Sequence, residues 1–361
     1  MSFNVDKVFH KVDWPNSSIE FCENFFNSDK PKYILGRNIY AESVAKNIDV
    51  DGFIDDFSNE KAFLKKPVFK STQVPKNALV LNVAGGRPLS AREKLNQLGL
   101  QNLDYFAFSK ISKFPFMPLR FNERFQDEFL LNKQKFNWIY RLLNDEVSRL
   151  IFEKLVRFRY DHDILHLEGF TQRENVQYFE EFLSLNKANE IFIDVGGFNG
   201  FTTLEFIKRC PQYSSVHIFE PDKKNYELCV SATCKFPEIY CHPLGLGSKK
   251  EMLYFKMNDS SSRISDNGDV MINVVRLDSF SQIAPTFIKM DIEGAEYSAI
   301  LGAEKIILKS HPRLAIAVYH NSGDFWRIPE LVLGIRNDYE ILIRHYSESI
   351  YETIMFFLPR K

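Results

Sequence analysis

Four acids and a histidine stand out by position: Asp194, Glu220, Asp291, Glu293 and His320 lie at or just beyond the ends of short apolar runs. In an open α/β sheet, ligands bind beyond the carboxyl ends of the strands, so such side chains are candidates for chemistry. Asp194 opens DVGGFNG at 194–200, after the β-prone Ile191, Phe192 and Ile193. Beyond the loop, Phe201, Leu204 and Ile207 share a helix face. Glycines between a strand and a helix let the backbone approach a ligand, and the helix N-terminus presents unpaired N–H groups. The spacing is D-x-G-x-x-x-G and not the dinucleotide G-x-G-x-x-G. An acid ahead of the glycines would repel a pyrophosphate but suit a cation. S-adenosylmethionine, with a sulfonium, an ammonium and no phosphate, therefore fits better than a nicotinamide cofactor.

The next apolar run, SVHIF at 215–219, ends in Glu220, which lies 20 residues beyond Gly200. An acid there can accept hydrogen bonds from both ribose hydroxyls of an adenosine. IKMDIEGAE at 288–296 reads as the fourth strand and its exit, with Asp291 and Glu293 directed at the reacting centre. His320 ends LAIAVYH, the fifth strand, beside Asp291 across a strand spacing of roughly 5 Å. A hydroxyl is a poor nucleophile until its proton is taken, and a histidine can take one near neutral pH. His320 is thus the expected general base, with Asp291 orienting it or serving as the rival base. Trp326 offers an apolar platform for an acceptor, and His345, ending the sixth strand, is a second substrate-side candidate. Asp291 and Glu293 also leave open a divalent metal such as Mg²⁺, which prefers oxygen ligands. Asp278 reads as a helix N-cap, the serines at 260–262 as solvated loop, and His217 as a core histidine.

Positioning these groups requires the last 175 residues to alternate strand and helix. Strands are expected at 191–195, 215–220, 239–244, 286–291, 313–319, 339–345 and 353–358. The last two are too close for a helical crossover and must pair antiparallel. A mostly parallel sheet ending in such a hairpin is the class I methyltransferase architecture, here with an insertion at 251–277. Upstream, a βα pattern starts at Lys32, continues through VDGFIDDF and ALVLNVAGG, and closes with DYFAF at 104–108. Gly36, Asn38 and Ala41 stand where a dinucleotide loop would carry three glycines. The expected organisation is an N-terminal helical arm at 1–30, a smaller Rossmann-like unit at 31–115, a helical bridge at 116–185 and the methyltransferase-like domain at 186–361.

The 361 residues carry a net charge of −1, which gives no basic field for nucleic acid. No apolar run reaches the roughly 20 residues of a membrane span. Five cysteines without a C-x-x-C pair suit a reducing, cytoplasmic setting and give no zinc signature.

DVGGFNG (194–200), FEP (219–221), the serines at 260–262, RLD (276–278), IKMDIEGAE (288–296), LGA (301–303) and YH (319–320) together resemble the FkbM family of S-adenosylmethionine-dependent methyltransferases. The resemblance covers about half the chain. It implies O-methylation of a sugar, nucleotide sugar or glycan hydroxyl. It also implies that Asp194, Gly196, Asn199, Gly200, Glu220 and Pro221 hold the cofactor. Gly197–Phe198 replaces a commoner alanine–asparagine pair. ILGRNIYAE, VDGFIDDF and VPKNALVL resemble the small nucleotide-sugar-binding domain that precedes some sugar acyltransferases, with a scaffold or homo-oligomerisation element as the plainer reading. Two other functions stand beside O-methylation. One is methylation of a nitrogen, against which DIEG stands where DNA aminomethylases carry a proline–proline–aromatic strand end. The other is a non-catalytic nucleotide-sugar-binding protein.

Overall fold

The structure is a computed structural model and describes residues 13–256, 263–264 and 270–360. The serines at 260–262 and the first residues of the expected arm lie outside the described residues. The described residues fall into two compact units. The first is drawn from Met1–Lys133, Leu150–Gln172 and Tyr346–Tyr351, the second from Gln134–Arg149, Arg173–His345 and Glu352–Lys361.

In the first unit, six strands form one sheet: β1 (Lys32–Leu35), β2 (Gly52–Ile54), β3 (Ala62–Phe63), β4 (Lys66–Phe69), β5 (Leu79–Asn82) and β6 (Gln101–Asp104). Their spatial order is β3-β4-β2-β1-β5-β6, and every pair is parallel except β3–β4. The runs KYIL and LVLN are almost wholly apolar because a parallel strand is covered on both faces. Tyr33, Ile54, Val74, Ala78, Val80, Leu95 and Leu100 form one core cluster under them. Helix Asn16–Asn27 supplies Phe25 and Phe26, which pack on Phe108 with ring centroids 5.4 and 5.7 Å away.

The closing segment DYFAF is helical. The last strand ends at Asp104, whose Oδ1 accepts the Ala107 N–H at 2.9 Å and caps helix Tyr105–Ser112. That cap outweighs the β-propensity of the aromatic residues behind it. The strand order reverses between β1 and β5, which makes their carboxyl ends the crevice of this sheet. After β1, Asn38 caps helix Ile39–Ala45 by accepting the amides of Tyr40 and Ala41. After β5, in the first turn of helix Pro88–Gln97, the Ser90 amide and hydroxyl donate to Glu348 at 2.8 and 2.6 Å.

Within 116–185 the helices are Phe125–Leu131, Lys133–Leu142 and Glu146–Asp161, followed by short 3₁₀ turns. Residues 150–172 belong to the first unit, whereas 134–149 and the stretch from 173 onward belong to the second.

The second unit is a seven-stranded sheet of β7 (Ile191–Val195), β8 (Ser215–Phe219), β9 (Ile239–His242), β14 (Phe287–Met290), β15 (Arg313–Ala317), β16 (Tyr339–His345) and β17 (Thr353–Pro359). Between β9 and β14 the insertion adds β10 (Gly245–Leu246), β11 (Glu251–Lys256), β12 (Arg263–Ile264) and β13 (Val270–Val275) as a separate four-stranded sheet. The main order is β16-β17-β15-β14-β7-β8-β9, and β17 alone runs antiparallel to its neighbours. This is the class I arrangement expected from the short final hairpin. Phe192 stacks between Phe206 and Phe287, with centroids 4.5 and 5.1 Å away, and anchors the first helix to the sheet. The order reverses between β7 and β14, so the loops after these two strands form the crevice of this unit.

Candidate active site

Two loops meet at that crevice. The Gly196 amide donates to Phe219 O at 2.9 Å and the Asp291 amide to Val195 O at 3.1 Å, tying three strand ends together. Gly196 has φ +84, and a Cβ there would lie 2.0 Å from the Asp291 carbonyl oxygen. Only glycine lets the two turns approach this closely.

Asp194 is wholly buried at the end of β7. Its Oδ2 accepts the Thr203 hydroxyl at 2.9 Å, and its Oδ1 lies 3.1 Å from the Lys289 ammonium. Lys289 stands opposite Asp194 in the parallel register and also donates to Val195 O and Gly196 O at 3.2 and 2.6 Å. Burial works against the lysine charge, but Asp194 and then Asp291 outweigh it and hold its pKa above the ordinary range. Asp194 therefore balances an internal cation and shapes the loop. The lysine was the overlooked signal: a charge in the middle of FIKM demands a buried partner. Asn199 Oδ1 accepts the Phe201 amide at 3.1 Å, turning the chain into helix Phe201–Arg209, and Gly200 precedes that helix with φ +83.

Glu220 is 7% exposed at the end of β8, followed by Pro221. Its Oε2 accepts the Phe198 amide at 2.8 Å and its Oε1 the Asp222 amide at 2.9 Å. Burial raises its pKa against these two amides. Each carboxylate oxygen keeps a second lone pair with which to accept a hydroxyl.

Asp291 receives donors from two segments. Tyr178 donates its hydroxyl to Oδ2, and the Tyr319 hydroxyl lies 3.5 Å from Oδ1. His320 Nε2 is also 3.5 Å from Oδ1, while its Nδ1 lies 2.9 Å from Glu296 Oε1. Burial opposes a charge on this imidazole, but Glu296, Asp291 and Glu293 together raise its pKa to about 10. Glu293 turns the chain with φ +57 ahead of Gly294 at φ +101, and its Oε2 lies 3.9 Å from His320 Nε2. The cap of this turn comes from Glu296, which accepts the Ile292 amide at 2.7 Å.

Donor atoms of Asp291, Glu296 and His320 lie within 4.8 Å of one another. Asp291 lies nearest one nitrogen of the ring and Glu296 nearest the other. His345, which stands opposite Thr353 in the β16–β17 register, shares a 2.9 Å hydrogen bond with its hydroxyl. Trp326 lies in helix Asp324–Ile335 with the Lys135 ammonium 5.4 Å from its ring. Neither of these contacts involves Asp291. Asp278 accepts the Ile306 amide at 3.1 Å and so caps a later helix than the one it precedes. His217 pairs with His242 at 3.3 Å, and burial lowers its pKa to about 4.

The sheet order and this pair of loops define a class I methyltransferase fold. Residues 194–357 match the Methyltransferase FkbM domain, and this part of the chain is an FkbM methyltransferase domain, that of an enzyme that transfers methyl groups. The crystal structure of Methyltransferase FkbM from Methylobacillus flagellatus is similar over 98% of this chain and 95% of that one, with a TM-score of 0.76 and 22% identity. The fold is therefore shared along almost the whole length. An rRNA methylase from Streptococcus thermophilus (TM-score 0.36, 14% identity) and a putative rRNA methylase from Clostridium thermocellum (0.36, 9%) are covered almost completely, by 52% and 53% of this chain. Likenesses that slight say nothing of its chemistry. No curated protein sequence matches the chain. Among the described residues, no helix is long and apolar enough to cross a membrane.

Proposed function

We propose that the second unit binds S-adenosylmethionine at the crevice between β7 and β14 and methylates a hydroxyl of a sugar, nucleotide sugar or glycan. The observation that carries this reading is Asp291, a carboxylate at the switch point fed by Tyr178, Tyr319 and His320. Asp194, Gly196, Asn199, Gly200, Glu220 and Pro221 would form the cofactor side, with Glu220 accepting the ribose hydroxyls. Methyl transfer is an in-line displacement, so most of the catalysis is alignment of oxygen, methyl carbon and sulfur. The acceptor oxygen bonds to the methyl carbon, the carbon–sulfur bond breaks, and its electron pair stays on sulfur as S-adenosylhomocysteine. The acceptor's proton must leave. An imidazolium has no lone pair to take it, so we assign the proton to Asp291 and give His320 the role of its charged partner. A hydroxyl becomes acidic as its oxygen gains the methyl, so a carboxylate suffices as base. Glu293 would face the acceptor from the same turn.

Incubation with methyl-labelled S-adenosylmethionine and a panel of nucleotide sugars and glycans tests the reading. Label appearing in a sugar as an ether is the expected result. Label on nitrogen, or no binding of S-adenosylhomocysteine by calorimetry, would sink it.

A further inference from the structure

Asp291 is held from behind by residues that no motif marked and that lie partly outside the matched family domain. Tyr178 donates its hydroxyl to Asp291 Oδ2. Its oxygen in turn accepts from Gln177 Nε2 at 2.8 Å, and the same amide nitrogen donates to Glu352 Oε2. Burial and the nearby Asp291 raise the pKa of Glu352 to about 7; in its ionised form this carboxylate only accepts, which turns the Gln177 amide nitrogen toward it and toward the phenol. With Gln177 occupying a lone pair of the phenol oxygen, the phenol's own hydrogen is directed at Asp291. Tyr178 and Glu352 have φ +70 and +62, a backbone region that costs an L side chain and persists where the surroundings impose it. The Tyr178 ring is buried with the Lys289 ammonium 5.3 Å from its centre, the same ammonium that binds Gly196 O on the cofactor loop.

We propose that Gln177, Tyr178 and Glu352 are a positioning relay that aims the Asp291 carboxylate and keeps it in its proton-accepting form. The proposal rests on the reading of Asp291 as the base. Tyr178 and Gln177 come from the segment ahead of β7, and Glu352 from the entrance to β17. The other groups facing Asp291 are Lys289 on β14, Glu293 on its own turn, and Tyr319 and His320 after β15. Glu296 stands behind His320.

Removing one donor to a carboxylate disfavours its charged form, so its titration moves to higher pH. The test is a ¹³C carboxylate NMR titration of the full chain, with the Asp291 signal assigned by its loss in Asp291→Asn. In Tyr178→Phe the midpoint should rise, and with the acceptor found in the labelling panel turnover should fall about 10- to 100-fold at unchanged S-adenosylhomocysteine affinity. The acid limb of the rate profile should move up with the midpoint. Gln177→Met, which keeps the phenol in place, should shift the same midpoint less and serves if Tyr178→Phe does not fold. Unchanged midpoints in the folded variants overturn the relay. If Asp291→Asn keeps its turnover, the base reading falls and takes the relay with it. If Asp291→Asn is inactive but Tyr178→Phe behaves as wild type, the relay alone falls.

Discussion

The described residues carry two mostly parallel sheets, each with a reversal of strand order, and the two crevices are furnished differently. Between β1 and β5, Asn38 and Ala41 replace two of the glycines of a nucleotide loop. Asn38 takes two amides of the helix that follows, and Glu348 places a carboxylate on the amide of Ser90 where a phosphate would need to sit. Between β7 and β14 the glycines remain, and Glu220, Asp291, Glu293 and His320 gather at the strand ends. Topology supplies a crevice in both cases. Side chains decide whether it can hold a ligand and do chemistry.

The sharpest test of the contrast is Asp291→Asn, which should lower turnover by about 10²–10⁴-fold and leave S-adenosylhomocysteine affinity intact. Near-normal turnover would mean that the second crevice owes its activity to another base. Lys289→Met should cost stability, because it leaves Asp194 buried without its cation. Breaking one side of a buried ion pair costs about 3–5 kcal/mol, readable as a shift in denaturant midpoint. A variant as stable as the parent would show that Asp194 does not depend on the lysine. Glu220→Ala should weaken S-adenosylhomocysteine by about 1–3 kcal/mol in calorimetry, the range for lost hydrogen bonds to a charged acceptor. The smallest effect is expected in the first unit. UDP should leave the melting temperature of the wild-type chain unchanged, and Glu348→Gln should lower stability by about 0.5–1.5 kcal/mol through a weakened bond to Ser90. A UDP-dependent rise in melting temperature would erase the difference between the two sheets.

Much of this was legible in the residues alone, for a physical reason. Apolar runs such as IFIDV and LAIAV, glycines at turns and acids at strand ends are local signals, because strand propensity and turn sterics act over a few residues. They sufficed for the seven strands of the second sheet, the antiparallel last strand and the crevice acids. At DYFAF the same local reasoning missed, because a cap from Asp104 tips an aromatic run into a helix. What needed the tertiary structure was the pairing of charges between segments remote in sequence. Lys289 meets Asp194, Tyr178 meets Asp291, and Glu296 meets His320. Whether a buried histidine is neutral or charged depends on the carboxylates that folding places around it, and three of them raise the pKa of His320. The identity of these groups is written in the chain. Their protonation and their partners are set by burial and distance, which only the fold determines.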